Sequence, residues 1–423
     1  MVQVYAGAAQ RSITPYLEKR PVYLAGFQEN RPATSVHDDL YARALALRVD
    51  HGSHDPTQPD YVVLVVCDLI GLPNADIEKI RREAQKNGVD ARGLVVACTH
   101  THSGPDTLGM WGESRLKTGR NPDYQAFVCQ QVAGAAAEAV ASLQPAVLRV
   151  GRTNMPRWLR NARQPQIVDR ELSVLQAQAV NDAAAANDAA AAYGEPIFTL
   201  LNLACHPEVM FGQNTAISAD YAGAACREIE ARHGGSAVFA SADLGGMMTP
   251  DVDEHGRSFD TVQLMGQDVA AAALLALDGG EKLMPSSLDF SRRDVRIPLE
   301  NPLFRLARAI GTLPPIPLDT QGCLRTQVSL LDLGALRLIA APGELLPKPG
   351  MALRRMMNVP YRFLIGLADD ELGYLLPSDE FVYPRNPLKP GAHYEETMSV
   401  SKYATPLLME AWAALLAGRK ANE

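Results

Sequence analysis

The run Tyr61-Val62-Val63-Leu64-Val65-Val66-Cys67 is apolar at successive positions and ends at Asp68. A strand that reads this way is buried on both faces, between helices or against a second sheet. Leu94-Val95-Val96-Ala97 is a second such run, too short for a helix and rich in β-branched residues. Between them Ile77, Ile80 and Ala84 form one apolar stripe, with Lys79, Arg82 and Glu83 elsewhere, as in a helix. Asn74 is placed to cap that helix and Gly88 to end it. Strand, helix and strand with short links make a βαβ unit, so the two strands are expected to be parallel. Ligand sites of such sheets lie beyond the carboxyl ends of strands, where Asp68 and His100 fall.

The second run leads into Cys98-Thr99-His100-Thr101-His102-Ser103-Gly104-Pro105. The strand's period of two sends His100 and His102 to one face, and Gly104-Pro105 then stops it. Paired imidazoles at a strand end suit a metal such as zinc, although a partly exposed pair at a sheet edge reads the same way. Two further runs end similarly. Residues 197–204 reach Cys205-His206-Pro207-Glu208, and residues 336–341 reach Pro342-Gly343-Glu344. Arg157, Arg160 and Arg163 share a loop, where they are either solvated or hold a carbonyl oxygen or carboxylate. Ser218 or Asp220 can cap a following helix.

The rest of the pattern is mixed. Helices are expected over 123–143, 262–277 and 402–417, an alternating strand over 288–299, and a hairpin around Gly334. Residues 180–193 are low complexity and read as an exposed insertion. With no internal repeat and no clear break, residues 1–423 read as a single domain of α/β class, with mixed, partly parallel sheets flanked by helices. The net charge of −8 comes without basic blocks, so neither nucleic acid nor an anionic membrane is an indicated partner. Six scattered cysteines without a Cys-x-x-Cys pair suit reduced thiols in the cytoplasm. Neither a signal peptide nor a run of ~20 apolar residues is evident. A homo-oligomer is compatible with the sequence.

Ile13-Thr14-Pro15, Leu24-Ala25-Gly26-Phe27, His37-Asp38-Asp39-Leu40-Tyr41-Ala42-Arg43-Ala44, His100-Thr101-His102-Ser103-Gly104-Pro105, Asn202-Leu203-Ala204-Cys205-His206-Pro207, Ser218-Ala219-Asp220-Tyr221-Ala222-Gly223, Pro342-Gly343-Glu344-Leu345, Gly373-Tyr374 and Tyr394-Glu395 follow one another in a telling order. In these pieces the chain resembles the catalytic domain of the neutral/alkaline non-lysosomal ceramidases and their bacterial relatives. The resemblance implies that domain's fold and a zinc ion held by His100, His206, Glu344 and Tyr374. It leaves His102 beside the reacting water, to protonate or orient the reacting groups, and Tyr394 to donate to the oxyanion, with Arg163 nearby. The chain departs from the family at Gly246-Met247-Met248-Thr249-Pro250, where family members carry Gly-Asp-Val-Ser-Pro or similar. Thr249 keeps a hydroxyl but is stiffer at χ1, and Met247 stands in place of the acid. Attack by zinc-activated water is therefore expected rather than a covalent route. The chain also ends where the family's immunoglobulin-like domain would begin, so stable membrane association is not expected. The expectation is a zinc-dependent amidohydrolase of a linear amide, on a small or soluble substrate. Alternatives are N-acylsphingosine hydrolysis, esterase or lactonase action at the same zinc, a two-metal barrel amidohydrolase, and a non-catalytic relative.

Overall fold

All six residues of the strand Val62–Cys67 are buried in the computed structural model, which describes residues 2–52, 55–180 and 193–418. The strand has helices on one side and a second sheet on the other. Val63, Val65 and Cys67 join a core containing Ile77, Ile80, Val128 and Val132 from the covering helices. Val62, Leu64 and Val66 pack with Phe290, Leu331, Leu338 and Phe363 from the second sheet. An apolar side chain buried in this way stabilises the fold by about 1.5–3 kcal/mol, which accounts for the unbroken run.

The main sheet has nine strands. Its path runs Ser236–Ser241, Tyr193–Leu203, Glu171–Val180, Gln144–Asn154, Gln3–Ser12, Tyr41–Asp50, Val62–Cys67 and Leu94–Cys98, with Glu281–Leu283 pairing off Gln144–Asn154. Val62–Cys67 and Leu94–Cys98 are parallel, as the βαβ pattern requires, and so are Tyr193–Leu203 and Ser236–Ser241. The other pairs are antiparallel. The four-stranded second sheet has the order Asp289–Pro298, Cys323–Asp332, Leu336–Ala340, Tyr361–Ile365. Its far face packs on helices Pro347–Met357 and Ala404–Ala417 through Leu353, Met357, Leu408 and Trp412. The layers therefore run helix, sheet, sheet, helix, the mixed α/β class expected. The segment 180–193 lies outside the described residues except at its two ends. Among the described residues no helix is long and apolar enough to cross a membrane.

Two capping expectations are corrected. Asn74 is the first residue of helix Asn74–Lys86, and its N–H donates to Asp370 Oδ1 at 2.9 Å. The cap thus comes from a distant loop. Asp220 does not cap from outside its helix; it opens helix Asp220–His233 at φ +55°. Ser218 Oγ accepts the Asp220 N–H at 2.9 Å. The Asp220 carboxylate accepts the first-turn N–H of Tyr221 at 2.7 Å and the N–H groups of Val209 and Met210 at 3.2 and 3.4 Å, so it also braces the loop after His206.

Candidate metal centre and cavity

The strand expected to carry both histidines stops at Cys98. His100 follows in the left-handed region at φ +68°, so strand alternation does not place it. A non-glycine residue there is strained by about 1–3 kcal/mol and needs strong local restraint. His100 N–H donates to Leu69 O at 2.9 Å, and Nδ1 lies 2.5 Å from Ile70 O. His102 N–H donates to Pro207 O at 3.1 Å, which ties this loop to the one bearing His206. The Ser218-Ala219-Asp220-Tyr221 piece joins both loops. Ser218 O accepts from Thr101 Oγ1 at 2.8 Å, and the Tyr221 hydroxyl donates to Cys205 O at 2.7 Å. The motif thus acts as scaffold.

His206 Nδ1 lies 2.8 Å from Met248 O. Both His100 and His206 therefore spend Nδ1 on a backbone carbonyl, which fixes the tautomer and leaves Nε2 facing inward. Glu344 enters from a two-residue strand, Glu344–Leu345, parallel to Tyr374–Leu375 with Glu344 opposite Tyr374. Gly245 lies behind it, where a Cβ would come within 2.4 Å of Glu344 O. Glu344 Oε2 stands 3.2 Å from His206 Nε2 and 3.6 Å from His100 Nε2. Ring nitrogens of His100, His102 and His206 lie within 4.8 Å of one another, all buried. This group can hold a metal ion. Two inward imidazole nitrogens and a carboxylate oxygen suit a borderline cation such as zinc.

Burial drives His100 down to about 3, so its ring is neutral and ready to ligate. Burial also opposes a charged His206, but the hydrogen bond to Glu344 and the charges of Glu208 and Glu344 outweigh it and push the ring up to about 9. Burial would raise the Glu344 carboxyl, yet the facing histidines hold it below the usual range.

The remaining sequence-marked residues fall around this centre. Tyr374 is buried and shares the cavity wall with His100, His102, Glu344 and Tyr394; its hydroxyl lies 3.6 Å from Met247 Sδ. Arg163 reaches Glu395 at 2.7 Å and Glu396 at 2.9 Å, so its donors are spent on the residues following Tyr394. Thr249 is buried on the short strand Met248–Pro250, opposite Arg160. Glu208 does not stand out in the sequence. It is buried, and its Oε2 lies 3.1 Å from His102 Nδ1. The only hint is its place two residues after His206.

From the histidines a cavity opens outward. Its walls include Leu108, Met110, Trp111, Phe304, Leu313 and Ile316. The proline-rich stretch 313–317 thus forms one wall, which its composition alone does not reveal.

No known family profile matches the sequence, and no curated protein does. Among the solved structures similar to the chain are two of ceramidase. Neutral ceramidase from Pseudomonas aeruginosa aligns with a TM-score of 0.76 at 20% identity, covering 99% of this chain and 75% of that one. A ceramidase complexed with C2 aligns with a TM-score of 0.77 at 18% identity, with the same coverage. The chain therefore has the fold of neutral ceramidase, as the motif resemblance implied.

Proposed function

We propose that this chain is a zinc-dependent hydrolase of linear N-acyl amides. The observation that carries the reading is the convergence of His100 Nε2, His206 Nε2 and Glu344 Oε2 beside an apolar cavity. These three groups, with Tyr374, would hold the ion. When bound, zinc supplies a Lewis acid that acidifies a water and polarises the amide carbonyl.

The chain's own residues do the rest. The apolar walls receive the hydrocarbon arm of the amide and exclude water from it. Tyr394 donates its hydroxyl hydrogen to the carbonyl oxygen as negative charge develops there. Arg163, by clamping Glu395 and Glu396, holds the turn that carries Tyr394. His102 Nε2 takes a proton from the attacking water and delivers one to the departing nitrogen as the C–N bond breaks, giving a carboxylate and an amine. Thr249 is assigned a supporting hydroxyl rather than a nucleophile. A cytoplasmic setting, with the six cysteines as free thiols, belongs to the same reading.

Zinc-loaded protein assayed on short N-acyl amines, long-chain N-acylsphingosines and matching esters tests this directly. Amide cleavage in at least one series supports it, and cleavage of esters alone contradicts it. The preferred chain length then decides between the small soluble substrate expected from the sequence and a lipid amide.

Zinc binding should also depend on pH in a definite direction. In the metal-free protein His206 holds a proton against Glu344 up to about pH 9. Zinc must displace that proton, so apparent affinity should rise about tenfold per pH unit up to that point and then level off. The same proton stabilises the metal-free fold fully below about pH 6.5, and that contribution is lost as pH rises through the folded value. Competition titrations against a chelator between pH 6 and 10 read the slope. A flat profile would place the proton elsewhere.

A further inference from the structure

We propose that Glu208 is the positioning residue for His102, fixing its ring with Nδ1 protonated and Nε2 turned to the reacting groups. The catalytic task given to His102 rests on the reading above; the positioning does not.

Three neighbours bound the ring. Gly26, at φ +104°, lies against one part of it, where a Cβ would meet the ring carbon at 2.4 Å. Phe27 packs edge-on, with ring centroids 4.8 Å apart. Glu208 Oε2 stands 3.1 Å from Nδ1, at ion-pair distance. The Glu208 backbone is tied to the preceding loop, since its N–H donates to His206 O at 3.0 Å.

Glu208 is only 1% exposed, and the group facing it is this imidazole rather than a lysine or arginine. Burying a carboxylate costs several kcal/mol, so a carboxylate at this place is a poor choice for stability alone. The neighbouring Met247 offers no acid. Glu208 therefore brings to the His102 ring the negative charge that the 246–250 loop lacks. A carboxylate on Nδ1 selects the tautomer whose Nε2 lone pair accepts a proton, and it stabilises the imidazolium that follows. Proton transfer stays balanced: Nε2 gains the proton of water and passes one to the amine, while Nδ1 keeps its own throughout.

The test combines ring-nitrogen NMR of the zinc-loaded protein with kinetics of Glu208→Gln on N-octanoyl-p-nitroanilide. Wild-type His102 should show protonated Nδ1, and Glu208→Ala should show a tautomer mixture. Glu208→Gln should keep bound zinc and a KM within about twofold, and lose about 10–100-fold in kcat, the range typical of partners that orient site imidazoles. Glu208→Asp should recover part of the loss. Protonated Nε2 in wild-type His102, wild-type kcat in Glu208→Gln, or loss of zinc in that variant would each overturn the assignment. Should Glu208→Gln fail to fold, the wild-type ring spectrum still decides. If the wild-type protein cleaves no amide, the proposed activity falls while the tautomer measurement stands.

Discussion

His100→Ala and His206→Ala should lose the bound zinc, while His102→Ala keeps it and loses turnover. The distinction follows from what each ring does with its second nitrogen. His100 and His206 anchor Nδ1 on Ile70 O and Met248 O, and both direct Nε2 toward the same Glu344 oxygen. Removing either ring deletes a metal donor, so affinity should fall by more than the ~10–100-fold that loss of an outer partner costs. His102 instead anchors on Glu208, and its ring borders the cavity. Its removal takes away an acid–base group, worth about 10²–10⁴ in rate. Metal analysis after gel filtration, with kcat on the same samples, separates the outcomes. Equal zinc loss in all three variants would make the three histidines one ligand set.

Arg354→Ala should destabilise the fold by about 3–5 kcal/mol, the loss expected when one partner of a buried ion pair is removed. Arg354 is buried on helix Pro347–Met357, with Nε 3.1 Å from Asp169 and a terminal nitrogen 3.0 Å from Asp243. Burial, with the charge of Asp169, pushes the Asp243 carboxyl up, and the charge of Arg354 opposes that rise. Without the guanidinium both carboxyls lose their counter-charge in a site closed on one side by Gly350, where a Cβ would meet Asp243 Oδ2 at 2.3 Å. Asp243 also opens the loop whose Gly245 N–H donates to Leu345 O at 3.0 Å, next to Glu344. The variant should therefore weaken zinc binding as well. Urea unfolding reads the first effect; a midpoint equal to that of the wild-type protein would show that the ion cluster adds nothing.

The parts of the fold that read clearly in the sequence are those where one force dominates. Val62–Cys67 and Leu94–Cys98 are buried on both faces, so their apolar runs announce both the strands and the parallel pairing. The histidines and Glu344 stand out because each follows such a strand. The histidine convergence expected from strand alternation does occur, but through a left-handed residue at His100 that no periodicity signals. Asn74 meets the usual preference for a cap and is still displaced by Asp370, because tertiary contact outweighs local propensity. Glu208 and Asp370 share that obscurity: their roles depend on partners far away in sequence. The packing of the second sheet on the first is also hidden, since alternating strands such as Asp289–Pro298 do not state which surface they cover.

The most direct test starts from protein stripped of metal and follows release of octanoate from an N-octanoyl amide as zinc is restored. Activity should be absent at the outset, rise in proportion to zinc, and saturate at one ion per chain. Undiminished hydrolysis by the stripped protein, or none after full zinc loading, would contradict the assignment.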